Sequence, residues 1–278
     1  MERVIFSDNG VLKDYTNELN CFTSKTALID FTASADYLFI GSDLPFNNKY
    51  FYVSTVNDVA SIASVDYWDG TQWVASIDIV DETSTGGKSF AQSGHINFVI
   101  DQLKTSWSCD DTHLMTSSGL ETLKIYGLYW IRVKFSVTLK VTTALQYVGQ
   151  KFSEDSDLGG FYPELTLANT MKQFLTGKTN WNDQHFIASD NVCRDLQVKG
   201  IIKNRNQILN WRIFTEAAIH KVAEIVFLAF GDDFKDNRKA AQEYYNQALK
   251  TITPQIDRNN NAILDQDEKL FRTGFMTR

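Results

Sequence analysis

The chain has 278 residues, 43% hydrophobic and 13% aromatic, which is enough for two ordinary domains with cores of their own. Its net charge of −7 argues against a nucleic-acid groove or an anionic membrane surface as the main partner, because both need clustered Lys and Arg. Cys21, Cys109 and Cys193 lie far apart with no C-x-x-C spacing, so neither a zinc site nor a disulfide framework is indicated, and a reducing compartment fits best.

The opening MERVIFSDNG carries no basic segment followed by an apolar run. The longest apolar stretch of the later half, VAEIVFLAF at 222–230, is too short to cross a bilayer. The expectation is a soluble chain made in the cytoplasm, with no membrane partner.

From about residue 25 to 147 the sequence reads as strands: YLFIGS, KYFYVST, SIASVDYW, HINFVI and LYWIRVKFSVTLKV, separated by Gly, Asn, Asp and Ser clusters. Many short strands without intervening helices predict antiparallel sheets packed as a β-sandwich. Within this region VDYWDGTQWVAS (65–76) breaks at Asp69-Gly70, which places Trp68 and Trp73 on adjacent strands of one hairpin as a cross-strand pair. The string ETSTGGKS (82–89) imitates a phosphate-binding loop, but Glu82 stands where a glycine is needed and a strand-like run follows, so it reads as a hairpin loop.

Near Gln150 the texture changes. KFSEDSDLGGFYPEL is polar, and helical spacing follows it, which sets two domains: a β-sandwich domain over 1–150 and an α-helical domain over 151–278. The excess negative charge lies in the first, with 17 acidic against 10 basic residues, while the second holds 17 of each.

Four helices are predicted there: 163–176, 186–199 ending at Gly200, 205–230 ending at Gly231, and 232–252 before Pro254. The third is apolar around most of its circumference, so it must be buried on several sides: either the central helix of its bundle, or one whose extra face meets a neighbouring copy. In the second case Ile208, Trp211, Ile219 and Val226 are the residues expected at an oligomer or portal interface.

The segment DRNNNAILDQDE (257–268) places Asp257, Asn259 and Asn261 at loop positions 1, 3 and 5, the carbonyl of Ile263 at 7, Asp265 at 9 and Glu268 at 12. This is the oxygen spacing of an EF-hand loop, in which six or seven hard oxygens wrap one Ca²⁺. Ala262 departs from it at position 6, where glycine permits the sharp turn. The plainer reading is an Asn-rich connector.

The histidines, His95, His113, His185 and His220, show no H-E-x-x-H pairing, and no G-x-S-x-G occurs, so neither a catalytic zinc nor a serine-based triad has sequence support. The expectation is a non-enzyme.

DYWDGTQWVAS, DETSTGG, FAQSGHINFVI and LYWIRVKFS resemble a β-sandwich module that recurs in tailed-bacteriophage structural proteins, over about residues 30–140. Trp68, Gly70, Trp73, Ser93, Gly94, Ile96, Phe98, Trp130 and Arg132 carry the match. The helical half is similar in layout to head-tail connector (adaptor) proteins, with Gly200-Ile201-Ile202 at the family's turn and Ile208 to Phe230 at its long helix.

The resemblance implies a structural virion protein of the phage neck. It would form a ring, typically of twelve copies, joining the portal to downstream neck or tail proteins while DNA passes without specific binding. The N-terminal sandwich is a departure from minimal adaptors. An alternative expectation is a tail or baseplate protein whose sandwich binds host-surface carbohydrate through exposed Trp68, Trp73 or Trp107.

Overall fold

The computed structural model describes residues 2–22, 25–32, 35–101, 107–109, 118–124, 127–252, 256–265 and 268. They form two compact units: residues 1–149 with Asp257–Ile263, and residues 150–256 with the remaining C-terminal residues. The architecture is α+β, a β-sheet region followed by a helical bundle.

The first unit holds β1 (Arg3–Asp8), β2 (Val11–Asp14), a one-turn α1 (Thr16–Leu19), β3 (Ala27–Leu28), β4 (Tyr37–Ser42) and β5 (Asn48–Thr55). It continues with β6 (Ala63–Trp68), β7 (Trp73–Ala75), β8 (Ile77–Asp81), β9 (Gly94–Val99), β10 (Tyr129–Phe135) and β11 (Ala144–Gly149). One sheet has the order β2-β1-β4-β10-β6-β7 and the other β3-β11-β5-β9-β8, with antiparallel pairing throughout. The hairpin β1–β2 at 3–14 precedes the region where strands are predicted from sequence.

Period-two alternation sorts the side chains. Val4 and Phe6, Leu38 and Ile40, Ile131 and Val133 from the first sheet share a core cluster with Phe51, Val53, Ile96, Phe98, Leu145 and Val148 from the second. The intervening residues Ile5, Phe39 and Trp130 point the other way and are also buried, in a smaller cluster with Trp68 and Leu120. YLFIGS reads as an unbroken apolar run because both faces of its strand are covered.

Lys49 lies on β5 with its side chain 1% exposed. Its ammonium pairs with Glu2 and sits 4.2 Å from the centroid of Phe46, so a buried charge is both countered and stacked.

The helical unit contains α2 (Asp155–Phe161), α3 (Ala168–Phe174), α4 (Asn182–Val198), α5 (Thr215–Ala229) and α6 (Lys235–Thr251). The predicted helix at 163–176 is instead a 3₁₀ turn, Pro163–Thr166, followed by α3, and α2 precedes it. The predicted long helix at 205–230 is also corrected: short 3₁₀ turns occupy Arg205–Gln207 and Trp211–Phe214, and regular helix begins only at Thr215. Asn204 explains the first turn, accepting the amide of Asn206 through its side chain and drawing the backbone out of the helix. Gly200, at φ 68°, ends α4 as its position in the sequence predicts.

α5 is the central helix, packed by α4, α6 and α2. Ala217, Ala218, Ile219, Val222, Ala223, Val226 and Phe227 are all buried around it. Most of the apolar circumference that left open a neighbouring copy is hidden within this one unit, while Leu228 stays exposed.

Candidate functional site

Across β6 and β7, Trp68 stands directly opposite Trp73, and their rings meet edge to face with centroids 5.2 Å apart. Asp69 builds the turn between them. Its Oδ1 accepts the amides of Thr71 at 2.8 Å and Gln72 at 2.7 Å, and the Thr71 hydroxyl at 2.9 Å, while Gly70 takes a φ of 100°. Burial pushes the Asp69 carboxyl up, but these hydrogen bonds outweigh it and hold the group below the usual carboxylate range.

The three tryptophans are engaged within the β unit. Trp68 is fully buried, Trp73 is half-buried and donates through Nε1 to the Ser118 carbonyl at 2.9 Å, and Trp107 donates to the Trp130 carbonyl at 3.1 Å. Trp107 packs among Phe46, Tyr67, Phe98 and Tyr129. Of the three tryptophans named for the carbohydrate alternative, Trp68 is therefore buried and Trp73 and Trp107 are partly buried.

Arg132, on β10, sits between the rings of Tyr37 and Trp73, 4.5 and 5.0 Å from their centroids. It donates through Nε to Asp66 Oδ2 at 2.8 Å, and Lys134 reaches the same oxygen at 2.8 Å. Asp66 is 2% exposed, so two cations offset one desolvated carboxylate.

The phosphate-loop imitation is a hairpin: Thr85 and Lys88 exchange backbone hydrogen bonds at 3.2 Å around Gly86 and Gly87, both at positive φ. Asp81 braces its base, accepting the Thr83 amide at 2.9 Å and the Ser89 hydroxyl. A Cβ on Gly94 would lie 2.7 Å from the backbone carbonyl of Glu82, which explains why glycine stands there.

In the helical unit, three of the four residues expected at an interface are interior. Ile208 and Val226 are 0% exposed and Ile219 is 1% exposed, so they cannot meet another copy; Trp211 is half-buried. They pack the two clusters of this unit, Ile208 with Phe152 and Phe214, Ile219 and Val226 with Leu158 and Trp181. The apolar side chains that do reach the surface include Val198, Leu228, Phe161 and Tyr244.

A polar network that sequence spacing does not disclose lies at the start of this unit. His185 on α4 is fully buried, with Nδ1 2.7 Å from Ser153 Oγ and Nε2 3.1 Å from Asp155 Oδ1. Asp155 also accepts the Trp181 amide through both oxygens, at 3.1 and 3.2 Å. Lys151, buried beside them, donates to Glu154 and, at 2.9 Å, to Asn182 Oδ1.

Serine, histidine and aspartate thus stand in a line, but with the carboxylate on Nε2 and the hydroxyl on Nδ1. Ser153 is 2% exposed, and the line ties the start of α2 to α4. Burial holds His185 below the ordinary histidine range, against the pull of Asp155. Asp155 is itself held below the usual carboxylate range: burial opposes this, but the hydrogen bonds and charge of His185, the Trp181 amide and the Lys151 charge together outweigh it.

The other described histidines are also engaged. His220 Nδ1 meets the Tyr162 hydroxyl at 2.9 Å, and His95 Nδ1 lies 3.5 Å from Glu82; His113 falls outside the described residues.

The 257–268 segment is divided between the two units after Ile263. In the first, buried Asp257 accepts the amides of Asn261 at 3.1 Å and Ala262 at 2.7 Å, and Asn261 accepts the Ile263 amide at 2.8 Å. Asn260 and Ala262, loop positions 4 and 6, take φ of 58° and 60°. Ala262 stands where glycine is expected because its methyl is useful: it is 3% exposed and belongs to the β core. That burial also draws Asp257–Ile263 into the first unit, whereas the sequence alone attaches the whole segment to the helical half.

In the second unit, Glu268 accepts the Asp265 amide at 3.2 Å; Asn259 is exposed in the first. Among the described residues no group of three or more His, Cys, Asp or Glu is arranged to hold a metal ion. Of the six positions of the EF-hand spacing, Asn259, Asn261 and the Ile263 carbonyl are not carboxylates. No described helix is long and apolar enough to cross a membrane.

Comparison of the chain with protein-family models, with curated proteins and with solved structures gives no match.

Proposed function

We propose that this chain is a non-catalytic structural protein of a tailed-phage virion: a β-sandwich joined to a helical connector domain, assembling in the neck as a ring between portal and tail. The observation that carries the reading is the hairpin clasp. Trp68, Gly70 and Trp73 form the turn and cross-strand pair that the phage module's sequence signature calls for, within a unit that also holds Gly94 and Trp130.

The two sheets support the sandwich in that residues of both contribute to one core. The net charge of −7 suits a passage through which DNA moves without being held.

Because Ile208, Ile219 and Val226 are interior, any contact between copies falls on other side chains of the surface. The test is the native mass of the purified protein, alone and mixed with its portal protein. The reading expects a ring-sized species or a stable portal complex. A monomer that ignores the portal overturns it.

The segment Asp257, Asn259, Asn261, Ile263, Asp265 and Glu268 is proposed as a structural Ca²⁺ loop, supported by its spacing and by the left-handed backbone at positions 4 and 6. Calorimetric titration with Ca²⁺ should show binding by the parent and none by Asp257→Ala. Equal curves retire the calcium assignment without touching the virion role.

A further inference from the structure

The Ser153–His185–Asp155 line has the properties of a device that responds to acid. An ionised carboxylate can only accept, so Asp155 fixes the proton of a neutral His185 on Nε2. Nδ1 is then an acceptor, and the Ser153 hydroxyl must be the donor at 2.7 Å. Both ring nitrogens are satisfied in one tautomer only, which is what a fully buried imidazole requires.

Adding a proton to Nδ1 reverses one half of this arrangement. The ring then donates from both nitrogens, and Ser153 has no acceptor there for its proton. The charged groups facing the ring are Lys151, Glu154 and Asp155, all on the segment that enters α2 and its first turn. Lys151 already places a buried ammonium beside the ring, so the new cation is opposed by a like charge. On α4, the acid two residues before the ring, Asp183, pairs with Lys178 at 3.2 Å.

Ser153 and Asp155 flank Glu154, which with Asp157 forms the capping box that starts α2, so strain at the ring falls on the first turn of that helix. We propose that Ser153, His185 and Asp155 form an acid-released latch, in which protonation of His185 takes away the acceptor of the Ser153 hydroxyl and frees the segment 151–161 from α4.

The experiment uses the full chain with labelled histidine. Imidazole NMR should show His185 as the Nε2–H tautomer at neutral pH, titrating below the ordinary histidine range. Amide hydrogen exchange in 152–161 should rise at least tenfold as pH falls through that same midpoint, while exchange in β4 and β10 stays level.

In Ser153→Ala the donor to Nδ1 is lost, so the His185 midpoint should move upward, and exchange in 152–161 should already be raised at neutral pH. His220→Asn, which leaves the latch intact, should keep the parent midpoint and separates the other buried imidazole of this unit. Exchange in 152–161 that stays level across the His185 titration overturns the proposal, as does a Ser153→Ala midpoint identical to the parent's.

Discussion

Trp68 and Trp73 are register partners across β6 and β7, one fully buried and one half-buried, with ring planes inclined at 65°. Trp68 also packs with Phe39 and Trp130 in the cluster on the far side of its sheet from the main core. Replacing it should therefore open a cavity rather than a binding groove. Trp68→Ala is expected to lose about 3–5 kcal/mol of stability in urea unfolding. Trp73→Ala should cost less, because part of that ring is already in water.

Gly94→Ala tests close backbone packing. The added methyl meets the Glu82 carbonyl carbon and oxygen at 2.7 Å, and backbone yields less readily than a side chain. A loss of about 1–3 kcal/mol is expected, as for an overpacked core. Ser93→Ala, which removes the acceptor for the Val53 amide at 3.0 Å, should cost about 1 kcal/mol.

Ile219 and Leu228 lie on the same helix, 1% and 59% exposed. Ile219→Ala should destabilise the helical unit by about 2–5 kcal/mol without a direct effect on association. Leu228→Ala should change stability by no more than about 0.5 kcal/mol. Thermal unfolding and native mass measured together distinguish a core residue from a surface one.

Alkali should destabilise the helical unit through two tyrosines. Burial pushes the Tyr162 hydroxyl up to about 12, and burial with the neighbouring Asp195 carboxylate pushes Tyr245 up as well. An ordinary tyrosine ionises near 10, so the unfolded chain releases these protons first. Stability is then fully present below about pH 10 and falls as pH rises towards the folded-state values. Tyr245→Phe should flatten that decline in denaturant midpoints measured between about pH 9 and 11.

Several features were legible in the sequence because they depend on neighbours along the chain. The strands YLFIGS and HINFVI, the Asp69-Gly70 turn and the stop at Gly200 each follow from local alternation, turn chemistry or backbone permissiveness. The boundary region near Gln150 was visible as a change in periodicity. The break before Thr215 was not, because Asn204 and the 3₁₀ turns interrupt a stretch whose apolar spacing continues unbroken.

What the linear order of residues determined by itself is therefore the two-part α+β division and the hairpin that brings two tryptophans together. Only the tertiary structure decided where the apolar surplus of α5 goes, since periodicity reports that a face must be buried and not what buries it; α2, α4 and α6 do so. The tertiary structure also joined Ser153 and Asp155 to His185 across 30 residues or more, a relation of distance in space that no spacing along the chain records.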